Sequence, residues 1–371
     1  MTRTLYSDLA GESPAHRHLS DEAFLRGLLT VESALSTAAA HAGAISEADA
    51  ATARATIQGF HLDVEEISRQ SADGANPTIP VVTALKAINP TGIHPGATSQ
   101  DIIDTSLMLC LRDATGEIIA TLRDLASLLA ELTRTHRDTP MMAHTLGQQA
   151  VPTTFGCITA GWLQAILRSD KALSELQFEV SYGGAAGTMT ATHPHGFAIQ
   201  DALATGLGLH NPGLIWHSDR IPVTTIAAAL ATAAGAVRKI AGDIIFLSAS
   251  EILELREAQP GGSSAMPHKA NPAAAIACDG YARRVPGLLS TLFDALDCRL
   301  QRGTGSWHAE WQTIRELAAA TASAISRCHR SLDGIVVDTH RMGNHLSGTD
   351  VGHAPGIADR VLELYERNNP R

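Results

Sequence analysis

The sequence predicts an all-α protein, a long helical bundle, on three observations. Several long segments carry apolar residues at helical spacing, and some are long enough to span a bundle. No segment shows a convincing period-two alternation. With 44% hydrophobic residues over 371 positions, the chain can bury a large core, and its length suggests two or three domains.

The first helical pattern starts after Ser20, an apt N-cap with Asp21 and Glu22 in the first turn, and continues to Gly43. A shorter helix is expected after Ser46, where Asp49 completes a capping-box pattern. Asn76-Pro77, Pro80, Asn89-Pro90 and Pro95 break residues 73–95, leaving room for only a short helix. Thr98 and Asp101 have capping-box spacing ahead of a long helix over residues 102–136, so Thr98 and Ser99 sit where a helix N-terminus offers free amide donors. Residues 136–152 read as a turn-rich link, followed by a helix over 153–178. The glycines of residues 183–188 have neither the spacing nor the preceding strand of a dinucleotide fingerprint and read as a close-packed turn. His193-Pro194-His195 reads as a solvated loop, since no third metal ligand is placed by sequence. Residues 221–257 are apolar on more than one face, which suits a helix buried in a bundle or an oligomer core. A helix over 272–300, a Gly303-Thr304-Gly305 turn, a helix from Trp307 toward Arg330 and a short amphipathic helix between Gly348 and Arg371 complete the chain.

A formal net charge of -10 and the lack of a Lys/Arg run argue against nucleic-acid and anionic-membrane partners. The N-terminus carries no apolar leader, and charges and glycines interrupt the apolar runs, so the expected location is cytoplasmic. Cys110, Cys157, Cys278, Cys298 and Cys328 are odd in number, far apart and in apolar contexts, which reads as buried reduced thiols.

Chemistry concentrates between Gly261 and Pro272. Gly261 and Gly262 free the backbone, so Ser263 and Ser264 ride on a segment able to open and close. Asn271 and Pro272 read as N-cap and N1 of the next helix, a terminus that attracts anions, with Lys269 adding a full positive charge. Gly-Gly-Ser-Ser alone would mark an ordinary connector. The whole string Gly-Gly-Ser-Ser-Ala-Met-Pro-His-Lys-Ala-Asn-Pro resembles the signature loop of the fumarase/aspartase superfamily. That resemblance implies that Ser263 exchanges a proton next to a carboxylate, that Ser264, Lys269 and Asn271 hold substrate, and that the fold is a bundle assembling as a homotetramer with shared sites.

The stretch from His94 to Asp101 resembles the first signature region, implying that Thr98 and Ser99 bind a substrate carboxylate. Residues 136–152 resemble the second, which implies that Thr145 and Gln148 bind substrate. There many members carry a Thr-His pair, but here Thr145 is followed by Leu146, and His144 is out of register. The departure, with Trp307-His308-Ala309-Glu310-Trp311, points to the cycloisomerase branch. His94 and His308 then remain as titratable catalytic candidates beside Ser263. The expected activity is closure of a lactone from a carboxymuconate in protocatechuate degradation, with no metal and no cofactor. The alternative is elimination from an N- or nitro-substituted succinate. The resemblance covers roughly residues 19–335 and implies an N-terminal helical domain (1–95), a central bundle (96–335) and a reduced C-terminal segment (336–371), the family's third domain being largely deleted.

Overall fold

The computed structural model describes residues 5–61 and 63–368. The expectations placed on residues 1–4 and 369–371, at the two ends of the chain, lie outside the described residues. A single turn, α1 (Ser7–Ala10), precedes α2 (Asp21–His41), whose cap is the expected one: Ser20 Oγ accepts the Ala23 amide at 3.1 Å. In α3 (Glu47–Gln58) Ser46 Oγ accepts from the Asp49 amide and donates to the Asp49 carboxylate. Two short helices follow, α4 (Val64–Gly74), capped by Asp63, and α5 (Thr78–Ile88) inside the proline-broken stretch.

Five long helices make the bundle: α6 (Ser99–Thr135), α7 (Phe155–Ser174), α9 (Ile221–Leu247), α10 (Ala273–Asp294) and α11 (Ser306–Leu332). The all-α expectation holds. Between α7 and α9 lies α8 (Gly196–Leu207), which packs on α2 outside the bundle. Trp162 on α7 is fully buried and donates to Asp243 Oδ2 on α9 at 2.6 Å, satisfying a polar atom that burial would otherwise penalise. Helix α9 is long and apolar enough to cross a membrane, yet it packs against α7, α10 and α11 as a core helix.

Three expectations need correction. The link at 136–152 contains a β-hairpin, β1 (Pro140–Thr145) and β2 (Gln148–Thr154), turned by Leu146 and Gly147 at φ 52° and 77°. Two positive-φ residues form the tight turn whose twist suits a hairpin, but prolines at 140 and 152 and a register shift between Met142 and His144 hide the alternation. The helix expected to reach residue 257 stops at Leu247, because the Glu254 amide turns back onto the Leu247 carbonyl at 2.9 Å. There β3 (Leu255–Arg256) pairs with β4 (Val336–Val337). Of the five free cysteines, Cys157 and Cys298 are only half-buried.

The chain closes with α12 (Thr339–Asn344) and α13 (Ala354–Asn368). Helix α13 packs on α7 and α6, held by the Arg137 guanidinium gripping both Asp359 carboxylate oxygens at 2.7 and 2.6 Å.

Candidate active site

At the N-terminus of α6 the backbone amide of Thr98 donates to Asp101 Oδ2 at 2.9 Å. Asp101, 1% exposed, also accepts from the Gly183 and Gly184 amides at 2.8 and 3.0 Å and lies 2.6 Å from His217 Nε2. One carboxylate thus pins the glycine turn at 183–188 against the helix start, the close-packed turn expected there. Thr98 Oγ1 accepts from Arg302 Nη1 at 2.8 Å, and Arg302 Nη2 donates to the Ala185 carbonyl at 3.2 Å. Ser99, half-buried, opens the helix beside them. A hydroxyl, free helix amides and a guanidinium therefore converge where a carboxylate would dock.

Arg302 was not legible in the sequence. It sits in a connector next to a Gly-Thr-Gly turn, and only the return of the chain after α10 carries it to Thr98. Beneath the clamp, Arg220 is enclosed between Asp104 (2.8 Å) and Glu310 (2.6 Å), and Trp307 Nε1 donates to Asp104 at 2.9 Å. Burial alone would favour the neutral form of Arg220, but the two carboxylates outweigh it and hold the guanidinium charged. Trp307 and Glu310 are thus structural. His308, by contrast, is exposed and lies tilted against Trp311, ring centres 4.7 Å apart at 45°.

His94 precedes the clamp on a backbone at φ 56°, and its Nδ1 lies 2.6 Å from Glu32 Oε1. Thr145 and Gln148 flank the hairpin tip and are exposed, and the Gln148 side chain donates Nε2–H to the Gly147 carbonyl at 3.1 Å. Leu146, in the place of the family's histidine, is 102% exposed at that tip.

The lid residues 264–270 are all exposed. Ser263 Oγ accepts from the Ala265 and Met266 amides at 3.3 and 3.2 Å, while Ser264 and Lys269 reach into solvent. The expected N-cap is corrected here. Helix α10 starts at Ala273, and Asn271 staples the lid's neck, pairing with Gly261 through both backbone groups and donating Nδ2–H to the Gly262 carbonyl at 3.0 Å. The amides offered to a substrate carboxylate are already taken. Glu257, 3% exposed, accepts from Ala274 and Ala275 at 3.1 and 2.9 Å and from the Ser331 hydroxyl at 2.7 Å. An internal carboxylate fills this helix-end anion site, leaving Lys269 as the lid's cation.

The three regions do not meet within one chain. Helix α6 has 37 residues, a rod of about 55 Å with Thr98 at its start and the hairpin beyond its end. The His144 ring packs on Phe246 at the C-terminal end of α9 (5.1 Å), whereas Arg220 at the start of α9 binds Asp104 near Thr98. The lid opens α10, whose 22 residues run about 33 Å toward the loop that carries Arg302. Clamp and Arg302 lie at one end, hairpin and lid at the other.

The family profile described as Lyase matches residues 4–287. The chain belongs to the fumarase/aspartase superfamily of lyases. Within this superfamily it is 38% identical to a 3-carboxy-cis,cis-muconate cycloisomerase of Pseudomonas putida, over 94% of this chain and 86% of that one. It is 37% identical to a nitrosuccinate lyase of Streptomyces davaonensis, over 97% and 80%. The crystal structure of the 3-carboxy-cis,cis-muconate lactonizing enzyme from Pseudomonas putida superposes with a TM-score of 0.87 at 35% identity, covering 98% of this chain and 87% of that one. Superfamily and fold thus agree with the signature loops read from sequence.

Proposed function

We propose that the protein is a 3-carboxy-cis,cis-muconate cycloisomerase of aromatic-compound catabolism. The observation that carries this reading is its similarity, over almost its whole length, to the Pseudomonas putida cycloisomerase. The reaction adds a carboxylate oxygen of the substrate across its own double bond and protonates the neighbouring carbon, so no atom leaves and no redox partner is needed. A carboxylate already ionised and held in place needs no base to become a nucleophile. What the chain must supply is charge stabilisation and a proton. Thr98, Ser99 and Arg302 hold one carboxylate, and Lys269 meets another when the lid closes. Ser263 delivers the proton, its alkoxide stabilised by Lys269 and by the Ala265 and Met266 amides that its Oγ already accepts.

The same reading assigns a cytoplasmic homotetramer in which hairpin, clamp and lid come from different subunits. The separation of the regions along α6 and α10 supports it. So does an exposed stripe on α9, including Thr232, Gly235, Gly242 and Phe246, that leaves room for close approach by another helix. A covered Leu146 would then exclude water from the ring closure. The decisive assay follows loss of carboxymuconate absorbance with and without chelator, and full metal-independent turnover is expected.

The similarity to a nitrosuccinate lyase favours a second reading, elimination from a nitro- or N-substituted succinate. Fumarate release from such a substrate at a rate above lactonisation would put that reading first.

A further inference from the structure

Glu32 lies mid-way along α2, 0% exposed, on a helix face otherwise filled by Leu25, Leu28, Val31 and Leu35. A leucine there would cost no desolvation, whereas a buried carboxylate does. Its Oε1 meets His94 Nδ1 at 2.6 Å, and its Oε2 is buried without a partner among the described residues. His94 in turn holds a left-handed backbone (φ 56°) that side-chain-bearing residues seldom adopt. The surrounding loop is fixed: Ser36 Oγ donates to the Gly92 carbonyl at 2.7 Å, and the Tyr182 hydroxyl to the Pro95 carbonyl at 3.2 Å. An incompletely satisfied carboxylate and an unfavourable backbone thus meet in one contact, four residues before Thr98, and such irregularities cluster where function over-determines the geometry.

We propose that Glu32 is a positioning residue: by accepting Nδ1–H it fixes the tautomer and rotation of His94, so that Nε2 is presented to the substrate bound at Thr98. His94 Nε2 has no partner among the described residues and is free to accept or return a proton or to bind a carboxylate. Without Glu32 the ring can rotate and exchange its nitrogens. The proposal rests on the proposed function above, which places substrate at the clamp.

The test compares full-length wild type, Glu32→Gln, His94→Ala and the double variant. Glu32→Gln, which keeps an acceptor oxygen but removes the charge, is expected to lower kcat on the order of 10-fold with little change in KM, as weakening a charge-assisted hydrogen bond does. The double variant should be no slower than His94→Ala, because Glu32 acts only through the ring. In 15N-histidine-labelled protein, a hydrogen-bonded Nδ1–H resonance assigned by its loss in His94→Ala should move upfield in Glu32→Gln, whose neutral oxygen is a weaker acceptor than the carboxylate. If Glu32→Gln does not fold, Glu32→Asp should keep the resonance and part of the turnover. Additive losses in the double variant, full kcat in Glu32→Gln, or no such resonance in wild type would overturn the proposal. Should the protein eliminate and not lactonise, the functional reading fails while the same cycle, read on the eliminated substrate, still decides the role of Glu32.

Discussion

Mixing two inactive variants should restore activity, and the structure sets how much. Thr98→Ala removes the hydroxyl at the start of α6, and Ser263→Ala removes the proposed proton donor on the lid, at opposite ends of the bundle. Helix α10 alone puts about 33 Å between the lid and the loop whose Arg302 touches Thr98. No side chain spans that gap, so on the proposed reading a working site takes Thr98 from one subunit and Ser263 from another. If the two variants are dissociated, mixed in equal amounts and reassembled at random, each position is intact half the time, and about a quarter of the sites should regain both groups. Carboxymuconate turnover per subunit should therefore rise from near zero to about one quarter of wild type, with native mass spectrometry confirming mixed tetramers. Mixed tetramers without recovered turnover would refute the shared site, since a site built within one chain always keeps its lesion.

Ser263→Ala alone should lower kcat by about 10²- to 10⁴-fold without changing the oligomer, because among the described residues the hydroxyl bonds only lid amides; steady-state kinetics with size-exclusion chromatography check this. Arg220→Met strands the buried carboxylates of Asp104 and Glu310 and should destabilise the fold by about 3–5 kcal/mol, read from urea unfolding. Leu146→Asn, better suited to the left-handed turn, should raise hairpin stability by about 1 kcal/mol while lowering turnover; a faster enzyme would remove Leu146 from the site. The hydrogen bonds from Arg137 hold the Asp359 carboxyl below its usual range. A depressed carboxylate stabilises the fold above its unfolded value and loses that contribution as pH falls through the folded one. Proteolytic release of α13 should therefore rise as pH drops below the ordinary aspartate range, and Asp359→Asn should show it already at neutral pH.

Local signals in the sequence were enough to place the long helices and the caps at Ser20 and Ser46. Ser20 and Ser46 cap as their spacing foretells, because a cap is a contact between residues three apart. The signature loops were equally legible, since Ser263, Lys269 and Thr98 occupy motifs that need no knowledge of the fold. The hairpin at Leu146-Gly147 was not, because its strands are short, interrupted by proline and shifted in register. Tertiary structure decided the rest. Asn271 and Pro272 do announce a helix, but which anion sits on its amides depends on Glu257, a buried residue brought in by the turn after α9. Arg302 reaches Thr98, and Glu32 reaches His94, across 204 and 62 positions of sequence. Contacts that distant leave no periodicity to read, since they exist only once apolar burial has packed the helices into one bundle.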